Sequence, residues 1–293
     1  MKVHLVDGTY ELFRHYFAAP KQQNSQGQEV GATISLIRSL AKMLREEGAT
    51  HVGCAFDHVI ESFRNDLFYG YKTGEGVDQA LLSQFELAED AARALGLVVW
   101  PGVKFEADDL LASAALLYSQ DDEVEQILLC SPDKDLAQCV RRERIVCLDR
   151  RRGTILDEEG VREKFGVGPE SIPDFLALMG DSADGIPGIP RWGQKSAATV
   201  LSRYRHLEEI PDDPHQWDVK VRGAAALADN LAAQRQDALL YKKLATLRTD
   251  APIQESLQDL HWKGARRHAM ETLLQDLQSP RIQDLIPRWQ RDE

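Results

Sequence analysis

A chain of 293 residues, 43% of them hydrophobic, is long enough to bury a large core with a smaller domain attached, and no apolar run reaches the ~18 residues of a bilayer-spanning helix. The formal charge of −12 weighs against a broadly basic nucleic-acid binder, but much of the excess lies in a few acidic clusters, which leaves room for local basic surfaces. Cys54, Cys130, Cys139 and Cys147 lack the paired spacing of a zinc site and read as buried free thiols of a reducing cytoplasm.

The N-terminus enters directly on the strand-like Val3-His4-Leu5-Val6, with neither a basic leader nor a cleavable apolar segment, so the expected location is cytoplasmic. Further strands are predicted at 51–56, 97–100 and 126–130, separated by helical patterns at about 32–47, 78–95 and 108–118. Short apolar runs alternating with helices imply an α/β fold with a mainly parallel sheet. A hairpin over 144–149 and 153–157 would close that sheet. Beyond Gly160 the strand signal ends, which sets a boundary within 157–168 and gives a first domain of 1–160 and a helical one of 161–293. Helices are predicted at 169–179 and 194–204, joined by a Gly- and Pro-rich connector over 180–193, with more helix at 221–247 and 261–277.

Nine carboxylates punctuate this frame: Asp7, Asp57, Glu106, Asp108, Asp109, Asp133, Asp135, Asp181 and Asp184. Most follow a strand, and in open parallel sheets the carboxyl ends of the strands share one edge. A helix N-cap accounts for any one of these acids taken alone. Jointly they would repel one another unless cations neutralised them, and oxygen-only ligands select magnesium or manganese. Two such ions about 3.5 to 4 Å apart activate a water and stabilise a leaving oxygen, which is phosphodiesterase chemistry. In the connector, Gly188 and Gly193 permit close backbone approach, and Gln194, Lys195 and Ser196 open a helix able to hold a phosphate; a merely structural helix-turn-helix fits the segment as well. Phe63-Arg64 and Tyr71-Lys72 lie between the second strand and the helix predicted from 78, and the stretch 69–78, with Gly70, Gly74 and Gly76, suits a lid or arch. The arginines at 141, 142, 144 and 150–152 read as a solvated face.

In this order, Leu5-Val6-Asp7-Gly8, Ala55-Phe56-Asp57, Phe63-Arg64, Tyr71-Lys72, Glu106-Ala107-Asp108-Asp109, Asp133-Lys134-Asp135-Leu136 and Leu178-Met179-Gly180-Asp181-Ser182-Ala183-Asp184 resemble the signatures of the bacterial 5'-nuclease family. The resemblance runs over about residues 3–207 and, at this length, suits a free-standing member. It implies a PIN-like sheet flanked by helices, an arch near 64–95, and a helix-three-turn-helix near 170–205 that grips duplex backbone, often with K+. It implies two or three Mg2+ or Mn2+ ions, the first held by Asp7, Asp57, Glu106, Asp108 and Asp109, the second served by Asp133, Asp135, Asp181 and Asp184. Lys72 would face the scissile phosphate and Arg64 would position the 5' strand. The implied partner is DNA with a 5' flap, overhang or nick, with an RNA-DNA hybrid as a further substrate, acted on by a monomer.

Three departures from the family pattern stand out. Glu75 lies where a further base is expected after Tyr71-Lys72; Pro132 and Gly185 replace a usual glycine and asparagine; Arg191 and Trp192 make the connector bulkier. Two other readings compete. A haloacid-dehalogenase-type phosphohydrolase is suggested by Asp7-Gly8-Thr9 and Lys134, but it needs an acid where Leu5 stands. A non-catalytic DNA-structure binder would use the connector alone.

Overall fold

The computed structural model describes residues 1–290. In chain order the elements are β1 (Lys2–Asp7), α1 (Gly8–Ala18), α2 (Gly31–Glu46), β2 (His51–Asp57), α3 (Phe63–Leu67), α4 (Gln79–Leu82), α5 (Phe85–Ala94), β3 (Val98–Gly102), α6 (Ala107–Tyr118) and β4 (Gln126–Cys130). There follow β5 (Ile145–Asp149), β6 (Thr154–Leu156), α7 (Glu158–Phe165), α8 (Ile172–Met179), α9 (Gln194–Tyr204), α10 (Ala224–Ala233), α11 (Arg235–Ala245) and α12 (Arg267–Asp276). They form two compact units, one of Met1–Ile60, Gly74–Ser131 and Thr249–Glu293, the other of Glu61–Thr73 and Pro132–Arg248.

The first unit holds a parallel sheet in the order β3-β2-β1-β4, with Asp7 opposite Ala55, Asp57 opposite Gly102, and Val6 opposite Cys130. Both faces of its central strands are covered, so β1 and β2 are buried along their length rather than at alternate residues. Helix α6 packs on β1 and β2, while α2 packs between α1 and α5. The single helix predicted over 78–95 is broken into α4 and α5, because Gln84 turns inward and its Oε1 accepts from both the amide and the hydroxyl of Thr33, each at 3.1 Å. That bond satisfies an amide in the first turn of α2, whose capping residue Val30 has no side-chain acceptor.

Residues 249–290 group with the sheet and not with the later helices, so these compact units differ from the expected 1–160 and 161–293. The aromatic donors around the β3 edge explain why. Trp100 Nε1 donates to Glu255 Oε2 at 2.7 Å, Tyr118 Oη to the Glu255 carbonyl at 2.9 Å, and Trp262 Nε1 to the Leu95 carbonyl at 2.7 Å. Buried indole and phenol groups need such partners. The backbone bonds Val52 N to Leu260 O (2.9 Å) and Trp262 N to Thr50 O (2.7 Å) hold 260–262 extended, so helix starts only at Arg267 instead of 261.

In the second unit β5 and β6 form the predicted antiparallel hairpin, and α8 packs against α11 and α9. Asp174 of α8 is fully buried and accepts from Leu207 N (2.8 Å), His206 Nδ1 (3.0 Å) and Lys242 Nζ (2.8 Å), so its charge is held by three donors. All four cysteines are buried thiols. Among the described residues no helix is long and apolar enough to cross a membrane.

Candidate metal centre

In the first unit the expected acids line the carboxyl edge of the sheet. Asp7 ends β1 and caps α1, its Oδ1 accepting from Tyr10 N and its Oδ2 from Ser131 Oγ, both at 2.8 Å. Asp57 ends β2; its Oδ1 accepts from Ala107 N at 2.8 Å, and its own amide donates to Thr9 Oγ1 at 2.7 Å. Glu106 caps α6, Asp108 lies in the first turn, and Asp109 Oδ2 accepts from Glu106 N at 3.1 Å. Asp7, Glu106 and Asp109 are buried. A capping role therefore does not exclude a further role for these acids: the helix starts that stabilise the anions also aim them at one edge.

The second unit brings its acids closer together. Asp135, Asp181 and Asp184 each present an oxygen, and the three lie within 4.8 Å of one another. Among the described residues no other set of three converges to this distance. Asp133 is exposed and accepts from Asp135 N at 2.9 Å, an Asx turn that fixes the start of the following 3-10 helix. Burial first, then the charges of Asp133 and Asp184, hold the Asp135 carboxyl well above the usual carboxylate range. Its Oδ1 is buried without a hydrogen bond. An oxygen-only set with one buried, undonated oxygen fits a hard divalent cation.

Two ammonium groups touch this cluster. Lys72 Nζ lies 2.9 Å from Asp184 Oδ1, and Lys134 Nζ lies 2.5 Å from Asp181 Oδ2 and 3.8 Å from Asp135 Oδ1. Lys134 was legible between two aspartates, but its partner Asp181 lies in a distant segment that only folding brings near.

The connector follows α8. Asp181 and Ile186 exchange backbone bonds of 2.8 Å, and Ile189 N donates to Leu178 O at 2.8 Å. Gly188, at φ 74°, passes so close that a Cβ would fall 2.5 Å from Gly180 N. Gly193 caps α9 through its amide to Ser196 Oγ at 3.0 Å, so the Ser196 hydroxyl serves the helix itself, while Gln194 and Lys195 are exposed in the first turn. Trp192 is buried, with Nε1 donating to Leu227 O at 3.0 Å; its bulk goes into packing.

Sequence comparison decides the family. Residues 2–166 match the 5'-3' exonuclease N-terminal resolvase-like domain, and 167–268 match the 5'-3' exonuclease C-terminal SAM fold. The chain belongs to the 5'-3' exonuclease family. The 5'-3' exonuclease of Buchnera aphidicola (subsp. Acyrthosiphon pisum) is 30% identical over 261 residues, 87% of this chain and 90% of its own length. DNA polymerase I of Bacillus caldotenax is 33% identical over 280 residues, 94% of this chain; the chain spans only 31% of that polymerase. The fold matches the zinc-bound T5 5'-exonuclease with a TM-score of 0.69 at 17% identity, covering 94% of this chain and 100% of the other. Flap endonuclease-1 from Methanococcus jannaschii matches at 0.58 and 14% identity, covering 97% and 91%.

Arg64, expected to position a 5' strand, is buried with 1% exposure: Nε donates to Leu244 O at 2.7 Å and Nη2 to Thr246 O at 3.2 Å. The last carbonyls of α11 have no partner within the helix, and a guanidinium satisfies them while meeting the negative end of the helix dipole.

Gly185 accounts for one departure from the family pattern. It has φ 74°, and a Cβ there would meet Gly70 O at 2.1 Å, beside the Lys72 N to Asp184 O bond of 3.0 Å. Gly185→Ala is expected to cost about 2–4 kcal/mol of stability in urea unfolding and to cut nuclease turnover more than tenfold, since the 70–72 backbone must retreat and take Lys72 with it.

Proposed function

We propose that this exonuclease is a structure-selective 5' nuclease that hydrolyses DNA phosphodiesters near a junction of single and double strand, using Mg2+ or Mn2+. The observation carrying this reading is the convergence of Asp135, Asp181 and Asp184 within 4.8 Å, with the Lys72 ammonium on Asp184. The second ion is assigned to these three with Asp133, and the first to Asp7, Asp57, Glu106, Asp108 and Asp109. Cations held there would supply an activated water and neutralise the leaving oxygen of an in-line displacement.

The remaining work falls to the chain. Lys72, 32% exposed at its side chain, carries a positive charge at the rim of the cluster, where it can hold a phosphate oxygen as its charge develops. Gln194 and Lys195, at the start of α9, suit a duplex phosphate, which sets register without reading bases. K+ beside the connector carbonyls would strengthen that grip. The substrates this predicts are 5' flaps, overhangs and nicks, with RNA-DNA hybrids as a further class, bound by a monomer.

The deciding experiment is cleavage of a labelled 5' flap with Mg2+, Mn2+ or EDTA. Metal-dependent release of the flap supports the proposal; binding without cleavage, or turnover of an aryl phosphate alone, ends it. In the same assay Lys72→Met should lower single-turnover cleavage about 100- to 1,000-fold, the usual scale for losing one charge-stabilising donor, while Mn2+ binding persists.

A further inference from the structure

We propose that Lys134 is a tethered counter-cation of the second carboxylate cluster: its ammonium holds Asp181 and Asp135 in the metal-free protein and must release them when a divalent ion enters. The inference rests on the metal assignment above and adds a competitor to it. Asp181 has both oxygens engaged, Oδ1 accepting from Ala183 N at 3.1 Å and Oδ2 meeting Lys134 Nζ at 2.5 Å. The same ammonium lies 3.8 Å from Asp135 Oδ1, the buried oxygen that receives no hydrogen bond. A cation held by Asp135 and Asp181 would therefore compete with Lys134 for these carboxylates.

Three carboxylates within 4.8 Å are costly to bury bare, and the lysine between Asp133 and Asp135 lowers that cost without any metal. Its side chain is 31% exposed, so the ammonium can move outward to water while its aliphatic stem stays packed. The consequence is a deliberately weakened site. Part of the attraction that would bind a divalent ion is already satisfied by Lys134, so the cluster fills at a higher metal concentration than its three acids alone would require. Lys134 acts through the carboxylates, as a positioning residue.

The test is Mn2+ binding to the DNA-free full chain, read as free Mn2+ by electron paramagnetic resonance, with thermal melting in EDTA alongside. Lys134→Met keeps an unbranched stem and removes the charge. It should tighten the weaker Mn2+ site about tenfold, the order expected on losing one nearby like charge, and lower the melting temperature in EDTA. Lys134→Arg keeps the charge and should bind Mn2+ as the parent does. Equal or weaker Mn2+ binding by a folded Lys134→Met protein overturns the inference, as does tightening of equal size in Lys134→Arg. Asp135→Asn separates the two readings: if it leaves both the number and the affinity of bound Mn2+ unchanged, the metal assignment itself fails. If it removes an ion while Lys134→Met matches the parent, only the role of Lys134 is lost.

Discussion

Replacing Asp135 by asparagine is expected to lower flap cleavage by at least about 1,000-fold, the scale of losing a ligand of a two-ion site, while raising the melting temperature in EDTA. The two effects have one cause. Burial and the neighbouring charges of Asp133 and Asp184 keep the Asp135 carboxyl well above its usual range. Its folded value therefore exceeds its unfolded one, and the folded state holds the extra proton between them. Metal-free stability is then full below the ordinary aspartate range and falls as pH rises through the elevated value. Asparagine carries no charge to oppose, so the variant should melt higher than the parent in EDTA at neutral pH, by roughly 2–4 °C for each kcal/mol regained, and with a flatter pH profile. In saturating Mn2+ the order should reverse, because only the parent gains the full binding free energy. A variant that melts below the parent in EDTA across pH 5 to 8 would show that Asp135 has a purely structural role.

The second large effect is on folding. Arg64→Ala should cost about 3–5 kcal/mol in urea unfolding, because it leaves the buried Leu244 carbonyl and the part-buried Thr246 carbonyl without this donor and opens a guanidinium-sized void. Arg64→Lys should recover little, since one ammonium cannot reproduce the fork that reaches both acceptors. Cleavage per folded molecule should stay within a few-fold of the parent, with KM for the flap unchanged. The opposite result, normal stability with a raised KM, would restore the strand-positioning role that the sequence pattern implied.

The four parallel strands were readable because each is a short apolar run ending in an acid or a turn, and 126–130 was placed to the residue. Helix α9 was likewise bounded correctly, by Gly193 before it and the end of its apolar spacing. Helix α1 went unmarked, although Asp7 was recognised as a possible cap: Gly8 to Ala18 begins immediately after the strand, with no loop to signal it. The break between α4 and α5 and the extended course of 260–262 were not readable, since both depend on partners far along the chain, Thr33 in one case and Thr50 and Val52 in the other.

The chain by itself determined which chemistry is available. Acids at strand ends, next to Asx-type turns and helix starts, are a local pattern, and local sterics and dipoles place Asp7 and Asp57 at the carboxyl ends of their strands. Only the tertiary structure decided what each charge meets. Arg64, Lys72 and Lys134 look alike as lone bases near apolar residues or acids, yet one caps the carbonyls of a remote helix, one rests on Asp184, and one neutralises Asp181. A charge is stabilised by whatever lies within a few ångströms of it, and for these three that neighbour is set by long-range packing rather than by adjacent sequence.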